Sequence, residues 1–339
     1  MRNSISWVLW LITTMAILLA TRHPIYLVIL LSELLLVGNK IAKYQGISSW
    51  AVNNLRFLMT MVLLSTVINA FFTHVGSTIV FRLPENWVLI GGNITLESII
   101  YGLINGLVIG SMYITFNITN LALNTKQITG LIPRAFHPIA MTVTVALTFF
   151  PSIQQRAREI KEAQMIRGNP MKHISDWLPL FVPLLVTSLE NAFQLSESMT
   201  ARGFHTKYQP HRQEYALMGL IIATFVIFSA WLLRLYNYPK TTSIILYAIG
   251  AFLLIAILYK TSQRTQITRY HQETWGRKDI LPSVLLGLII IGWVMLRIVE
   301  QGPDLAYTPY PTFSLPSIQF AGILLSLVPL LPILFIDHD

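Results

Sequence analysis

The sequence predicts an all-α polytopic membrane protein with about eight transmembrane helices and a cytoplasmic pair of amphipathic helices. Three observations predict it. Of the 339 residues, 54% are hydrophobic and 12% charged, about half the charge of an ordinary soluble domain. The apolar residues gather into runs that approach or exceed the roughly 20 needed to cross a bilayer as helix, without the strict alternation of a β-barrel. Between two groups of such runs lies one long polar segment, residues 151–214. Three regions follow: N-terminal membrane helices over 1–150, the polar segment over 151–214, and C-terminal membrane helices over 215–339.

Taken in order, the apolar runs cover residues 7–20, 25–37, 50–72, 99–121, 139–150, 215–235, 243–259, 281–299 and 320–336. The first begins after Arg2 in the manner of a signal peptide, but one basic residue is a thin n-region and no A-x-A site follows. "TRHPIYLVILL" turns straight into the second run, so a retained helical hairpin is expected. The run at 139–150 is short: 12 residues give roughly 18 Å of helix against a hydrocarbon core of roughly 30 Å. It is read as a tilted or partly embedded element. That leaves eight spans with both termini inside; if it does cross, the N-terminus moves outside.

Orientation comes from the loops. Residues 151–214 hold eight Lys and Arg against six acids, residues 260–278 hold five against Glu273 alone, and residues 300–314 hold two acids and no Lys or Arg. Basic loops stay on the cytoplasmic side, so the first two face inward and the third outward. The net charge of +9 is thereby read as anchoring on the lipid bilayer rather than as a footprint for nucleic acid. Absence of cysteine removes disulfides, thiol nucleophiles and thiolate metal sites.

Within the polar segment, "PSIQQRAREIKEAQMIRGNP" reads as an amphipathic helix that starts at Pro151 and stops at Gly168, with Pro170 preventing continuation. The apolar stretch after it is broken by Pro179 and Pro183, and "SLENAFQLSESMTARGF" then repeats the pattern. Glu162 and Arg167, like Glu197 and Arg202, stand five residues apart, and each arginine precedes a glycine, Gly168 or Gly203. A glycine C-cap with a cation in the last turn is one sufficient account. Duplication suggests another: an arginine at a rigid helix tip presents its planar fork to a carboxylate on a second protein.

Four stretches resemble the T component, or transmembrane coupling subunit, of energy-coupling factor (ECF) transporters for vitamins and metal ions, the EcfT/CbiQ-like family. "ATRHPIYLVILLSELLLV" is similar to the family's N-terminal hairpin, and "NLALNTKQITGLIP" is similar in position to its T-T-S-P-x-x-L segment. "LTFFPSIQQRAREIKEAQMIRG" and "FVPLLVTSLENAFQLSESMTARGF" look like the stretches that reach two Ala-Arg-Gly signatures. The second signature is intact at Ala201, Arg202 and Gly203; the first carries Ile166 where the family has alanine. The resemblance covers roughly the first 260 residues, and the last two spans extend beyond the usual family length.

The resemblance implies a multi-pass subunit of the cell membrane with no chemistry or cofactor of its own. Two signature helices would dock on two ECF ATPase subunits that use ATP and magnesium, while a small membrane S component binds the substrate. Glu162, Ile166, Arg167 and Gly168, with Glu197, Ala201, Arg202 and Gly203, would then form the ATPase interface. The sequence is consistent, for it has no G-x-x-x-x-G-K-[ST] and no Gly-Lys pair to cradle a phosphate.

Two further features stand inside apolar runs. Gly102, Gly106 and Gly110 share one helix face at the spacing that lets helices approach closely, either within the subunit or as a seat for the S component. Glu33 is an intramembrane acid, functional by default, unless it reaches the headgroups or pairs with an asparagine. A secondary transporter without ATPase partners remains the alternative, although Glu33 lacks an evident midplane partner. A membrane enzyme is disfavoured, since no H-E-x-x-H occurs and the histidines are scattered.

Overall fold

The computed structural model describes residues 3–84, 92–132, 136–168, 177–203, 210–236, 239–264, 276–298, 305, 307–310, 316 and 318–335. In chain order these form α1 (Ser4–Ala20), α2 (Pro24–Tyr44), α3 (Trp50–Phe72), β1 (Ile79–Arg82), β2 (Asn93–Thr95), α4 (Leu96–Ala122), α5 (Thr125–Gly130), α6 (His137–Ile166) and α7 (Leu178–Ala201). Then come α8 (Pro210–Leu235), α9 (Lys240–Arg264), α10 (Arg277–Ile298), α11 (Phe320–Ser326), a 3-10 turn (Val328–Leu330) and α12 (Leu331–Phe335). The chain divides into two compact units, Met1–Ile128 with His271–Asp339, and Thr129–Tyr270.

The first unit is built around α4, which packs against α1, α2 and α3. Local chemistry sets the helix starts. Asn3 caps α1 by accepting from the Ile5 N–H at 3.0 Å, Pro24 opens α2, and Thr95 caps α4 by accepting from the Ser98 N–H at 3.3 Å. These are the partners that unsatisfied first-turn donors require. Ahead of α4, β1 and β2 pair antiparallel, with Ile79 opposite Thr95. The Glu97 carboxylate ties this hairpin to the helix by accepting from the N–H groups of Ser77 and Thr78. That hairpin is absent from the sequence-based expectation, because two strands of four and three residues carry no periodic signal.

Apolar side chains fill the interior, with Trp10, Leu18, Tyr26, Leu27, Leu30, Leu34, Ile104, Ile114 and Ile118 all buried. Lipid is as apolar as leucine, so close fit rather than water exclusion holds such helices together. Glycines provide that fit. A Cβ on Gly106 would stand 2.5 Å from Val62 Cα, one on Gly102 would stand 2.7 Å from Thr66 Cα, and one on Gly110 would overlap Leu58. Gly38 likewise makes room for the Trp50 ring, whose indole N–H donates to Asn117 Oδ1 at 2.7 Å.

The C-terminal segment returns to this body. On α1, α10 packs beside Ser6, whose hydroxyl meets that of Ser283 at 2.7 Å, and Asp279 Oδ1 accepts from the Asn3 N–H. The α11–turn–α12 stretch lies along α2. Its 320–336 run is predicted as one span, but the helix breaks after Ser326 into a 3-10 turn, where Pro329 supplies no N–H.

In the second unit, α6 packs on α7 and α8 packs along α9, with Gly219 facing Ile257 and Gly250 facing Ile227. Two prolines do less here than the sequence suggests. Pro151 does not begin a helix; it lies inside the 30-residue α6, so the shortness of 139–150 is no longer an argument about its reach. Pro183 does not break α7, which runs unbroken for 24 residues. The bond lost at Pro183 is the one its N–H would have given to the Pro179 carbonyl, a loss that membrane-type helices tolerate. Among the described residues six helices, α7 included, are long and apolar enough to cross a membrane, and α1, 279–293 and 320–335 are shorter apolar helical stretches. The protein is therefore multi-pass and all-α, as predicted.

Candidate functional site: two arginine-tipped helix ends

The two Arg-Gly phrases fold into the same local structure. At the end of α6, Arg167 takes φ −76°, ψ 5° and its N–H donates to the Ala163 carbonyl at 3.2 Å; Gly168 takes φ +84° and donates to the Met165 carbonyl at 3.0 Å. At the end of α7, Arg202 takes φ −81°, ψ 5° and donates to the Ser198 carbonyl at 3.2 Å; Gly203 takes φ +77° and donates to the Thr200 carbonyl at 3.0 Å. Glycine is required at both stops by the left-handed backbone rather than by crowding, since a Cβ at either would meet nothing within 4 Å.

Both arginines are exposed, as are Glu162, Glu197 and Ala201, and Ile166 is 87% exposed. Each guanidinium thus stands at a helix end whose backbone is pinned by two hydrogen bonds. A cation in that place is favoured by the helix dipole and free to meet an incoming carboxylate in bidentate geometry. Beside Arg167, exposed Met165 and Ile166 add an apolar shoulder. The chemistry available is recognition. No group of three or more His, Cys, Asp or Glu suited to a metal ion occurs among the described residues.

The remaining sequence-predicted residues fall elsewhere. Gly102, Gly106 and Gly110 face α3, so that stripe is spent on packing inside the chain and is not open to a partner. Glu33 lies on the interior face of α2, 4% exposed, and neither carboxylate oxygen has a hydrogen-bond partner among the described residues. Neither headgroup access nor an asparagine partner is found: both carboxyl oxygens are buried without a hydrogen-bond partner among the described residues. Residues 169–176 and 204–209 beyond the two tips, which include His173 and His205, lie outside the described residues.

Sequence reading overlooked the anchors of the C-terminal segment. Trp10 Nε1 donates to the Pro329 carbonyl at 3.1 Å, Tyr26 Oη to the Gln319 carbonyl at 3.1 Å, and Lys40 Nζ to the Ile333 carbonyl at 3.1 Å. A signal was present, because Tyr26, Glu33 and Lys40 recur at seven-residue spacing, one line along a helix.

Residues 2–215 match the profile of the family described as "Cobalt transport protein", CbiQ. Among curated proteins, the chain is similar to the energy-coupling factor transporter transmembrane protein EcfT of Bacillus selenitireducens, 29% identical over 227 residues that cover 62% of this chain and 82% of the relative. It is also similar to the protein of that name from Bacillus subtilis, 26% identical over 202 residues covering 53% and 75%. The corresponding protein of Acidaminococcus fermentans is 33% identical over 109 residues covering 28% and 41%.

Proposed function

Since the chain belongs to the CbiQ family of cobalt transport proteins, as the T component of an energy-coupling factor transporter, we propose that it carries ATP-driven motion from two ATPase subunits to a small membrane S component that binds a vitamin or metal ion. The observation that carries this reading is the pair of matched arginine caps. Two helices of one chain end in the same geometry, each presenting one exposed cation from a rigid stop, and two copies of an ATPase groove lined by carboxylate would receive them alike. Glu162, Ile166, Arg167 and Gly168 form one contact, and Glu197, Ala201, Arg202 and Gly203 the other. Both tips face the cytoplasm, where the basic residues of 151–214 belong by the positive-inside rule. The chain performs no catalysis; ATP and magnesium are used by the ATPases.

Reversing both charges tests the reading. In the Arg167→Glu, Arg202→Glu double variant each groove meets a like charge, a change that typically costs about 2 to 5 kcal/mol per desolvated pair. The variant is expected to insert and fold normally, since both side chains are exposed, but to lose its ATPases on purification from the native host and to lose transport. Arg202→Glu alone should do more harm than Arg167→Glu, whose contact already carries the larger Ile166. Wild-type transport with the ATPases still bound would reduce the two phrases to ordinary helix caps.

A further inference from the structure

Beyond the coupling role and independent of it, the interior of the first unit holds a second candidate site. Both α4 and the Val328–Leu330 turn pack against both α1 and α2, so these four elements enclose a common interior. Three buried polar side chains belong to the helices around it. Glu33 sits midway between Tyr26 and Lys40 on the line of α2 that grips the C-terminal segment. Thr14 stands one helical turn beyond Trp10, which grips Pro329 from α1. Ser111 belongs to α4, whose register beside α2 is set by Arg22 donating to Tyr101 Oη at 2.7 Å and Gln45 donating to the Leu121 carbonyl at 2.6 Å. Carried onto Glu33, those sequence separations of 79 and 76 put it level with the turn of α4 that holds Ser111.

Glu33 is 4% exposed, and Thr14 and Ser111 are fully buried. Yet Thr14 Oγ1, Ser111 Oγ and both Glu33 carboxylate oxygens have no hydrogen-bond partner among the described residues. Their neighbours behave differently. Thr13 donates to the Leu9 carbonyl, Thr115 to the Ser111 carbonyl and Thr119 to the Thr115 carbonyl, the usual way for a helical hydroxyl to be satisfied in an apolar setting. Lys40 is not the counter-ion of Glu33, since it lies about 10 Å farther along the helix axis and its ammonium is bound to the Ile333 carbonyl.

We propose that Thr14, Glu33 and Ser111 form a buried oxygen-donor site for a monovalent cation, closed on one side by the C-terminal segment. Carboxylate and hydroxyl oxygens without nitrogen or sulfur suit a hard cation. One carboxylate balances one positive charge, whereas a divalent ion would keep an uncompensated charge in the low-dielectric interior.

Thermal unfolding of the purified full-length chain in detergent, followed by tryptophan fluorescence at fixed pH, tests this. Sodium or potassium chloride is titrated against equal concentrations of N-methyl-D-glucamine chloride, whose cation is too bulky to enter. In the wild type Tm should rise with the alkali cation and saturate, as for any ligand that binds the folded state alone. Glu33→Gln, which keeps the shape and removes the charge, should abolish the rise. Ser111→Ala should raise the half-saturating concentration by about tenfold, as loss of a metal-site partner does; if Glu33→Gln does not fold, Ser111→Ala and Thr14→Val carry the test. Identical curves in all three salts for the wild type, or a response unchanged in the folded variants, would overturn the proposal.

Discussion

At the Arg202 tip, the left-handed backbone of Gly203 ends the helix directly after the arginine. Any side chain there meets open space, so the cost of replacing the glycine is conformational alone, about 1 to 2 kcal/mol for alanine. Gly203→Ala should therefore fray the end of α7 without unfolding the protein, and amide exchange at Arg202 and residue 203 should accelerate by about fivefold to thirtyfold, since 1.4 kcal/mol is a factor of ten in an equilibrium. Gly203→Asn should be milder, because asparagine visits this region more readily. Equal exchange in all three would mean that the cap does not depend on its glycine. A different residue-scale effect is expected at Trp50, whose indole N–H is satisfied by Asn117. Asn117→Leu leaves a part-buried donor without an acceptor and should cost about 1 to 3 kcal/mol, measured as a lower Tm in detergent.

Between elements, the α3–α4 contact is the most sensitive to added volume. Gly106→Leu would drive a side chain into the Val62 backbone, and overpacking of this kind typically costs about 1 to 3 kcal/mol. Folded yield should fall. Gly287→Leu on α10 is the matched control, since a Cβ there meets nothing within 4 Å, and it should be tolerated. The comparison separates crowding from the general effect of removing a helix glycine, and equal yields would place the Gly102–Gly106–Gly110 face against lipid. Each unit has its own helix pairing. In the second, α7 buries little beyond Leu180, which leaves its long apolar surface to lipid or to other subunits of the assembly.

For the molecule as a whole, the C-terminal segment is bound to the N-terminal part of the first unit by Asn3, Ser6, Trp10, Tyr26 and Lys40. Deleting residues 276–339 would uncover those polar groups and the apolar faces around them. The truncated chain should lose monodispersity on size exclusion, whereas an appended segment of no structural consequence would leave the profile unchanged. Topology is testable because the chain has no cysteine. A single cysteine at exposed Ser198 should react with an impermeant maleimide in inside-out vesicles and not in intact cells; the reverse pattern would contradict the basic-loop assignment. How far the reading of the sequence reached follows from the same distinction between local and distant effects. The Arg-Gly stops were legible because each cap is made by residues three or four apart in sequence. The anchors on Trp10, Tyr26 and Lys40 were not: the seven-residue spacing of Tyr26, Glu33 and Lys40 marks one helix line, but the acceptors are backbone carbonyls about 300 residues away, which that spacing does not identify.

By itself the sequence determined that this is a helical, multi-pass membrane protein with two matched arginine caps, and which family its motifs resemble. Composition, run length and cap chemistry act within a few helical turns, and lipid rewards them whatever the rest of the chain does. Tertiary structure alone decided that the glycine stripe is consumed against α3 and that the C-terminal segment comes back to Tyr26 and Lys40, on either side of Glu33. The reason is physical. What a glycine stripe or a buried acid meets depends on close-packed neighbours supplied by other elements. Those neighbours are brought into place by folding.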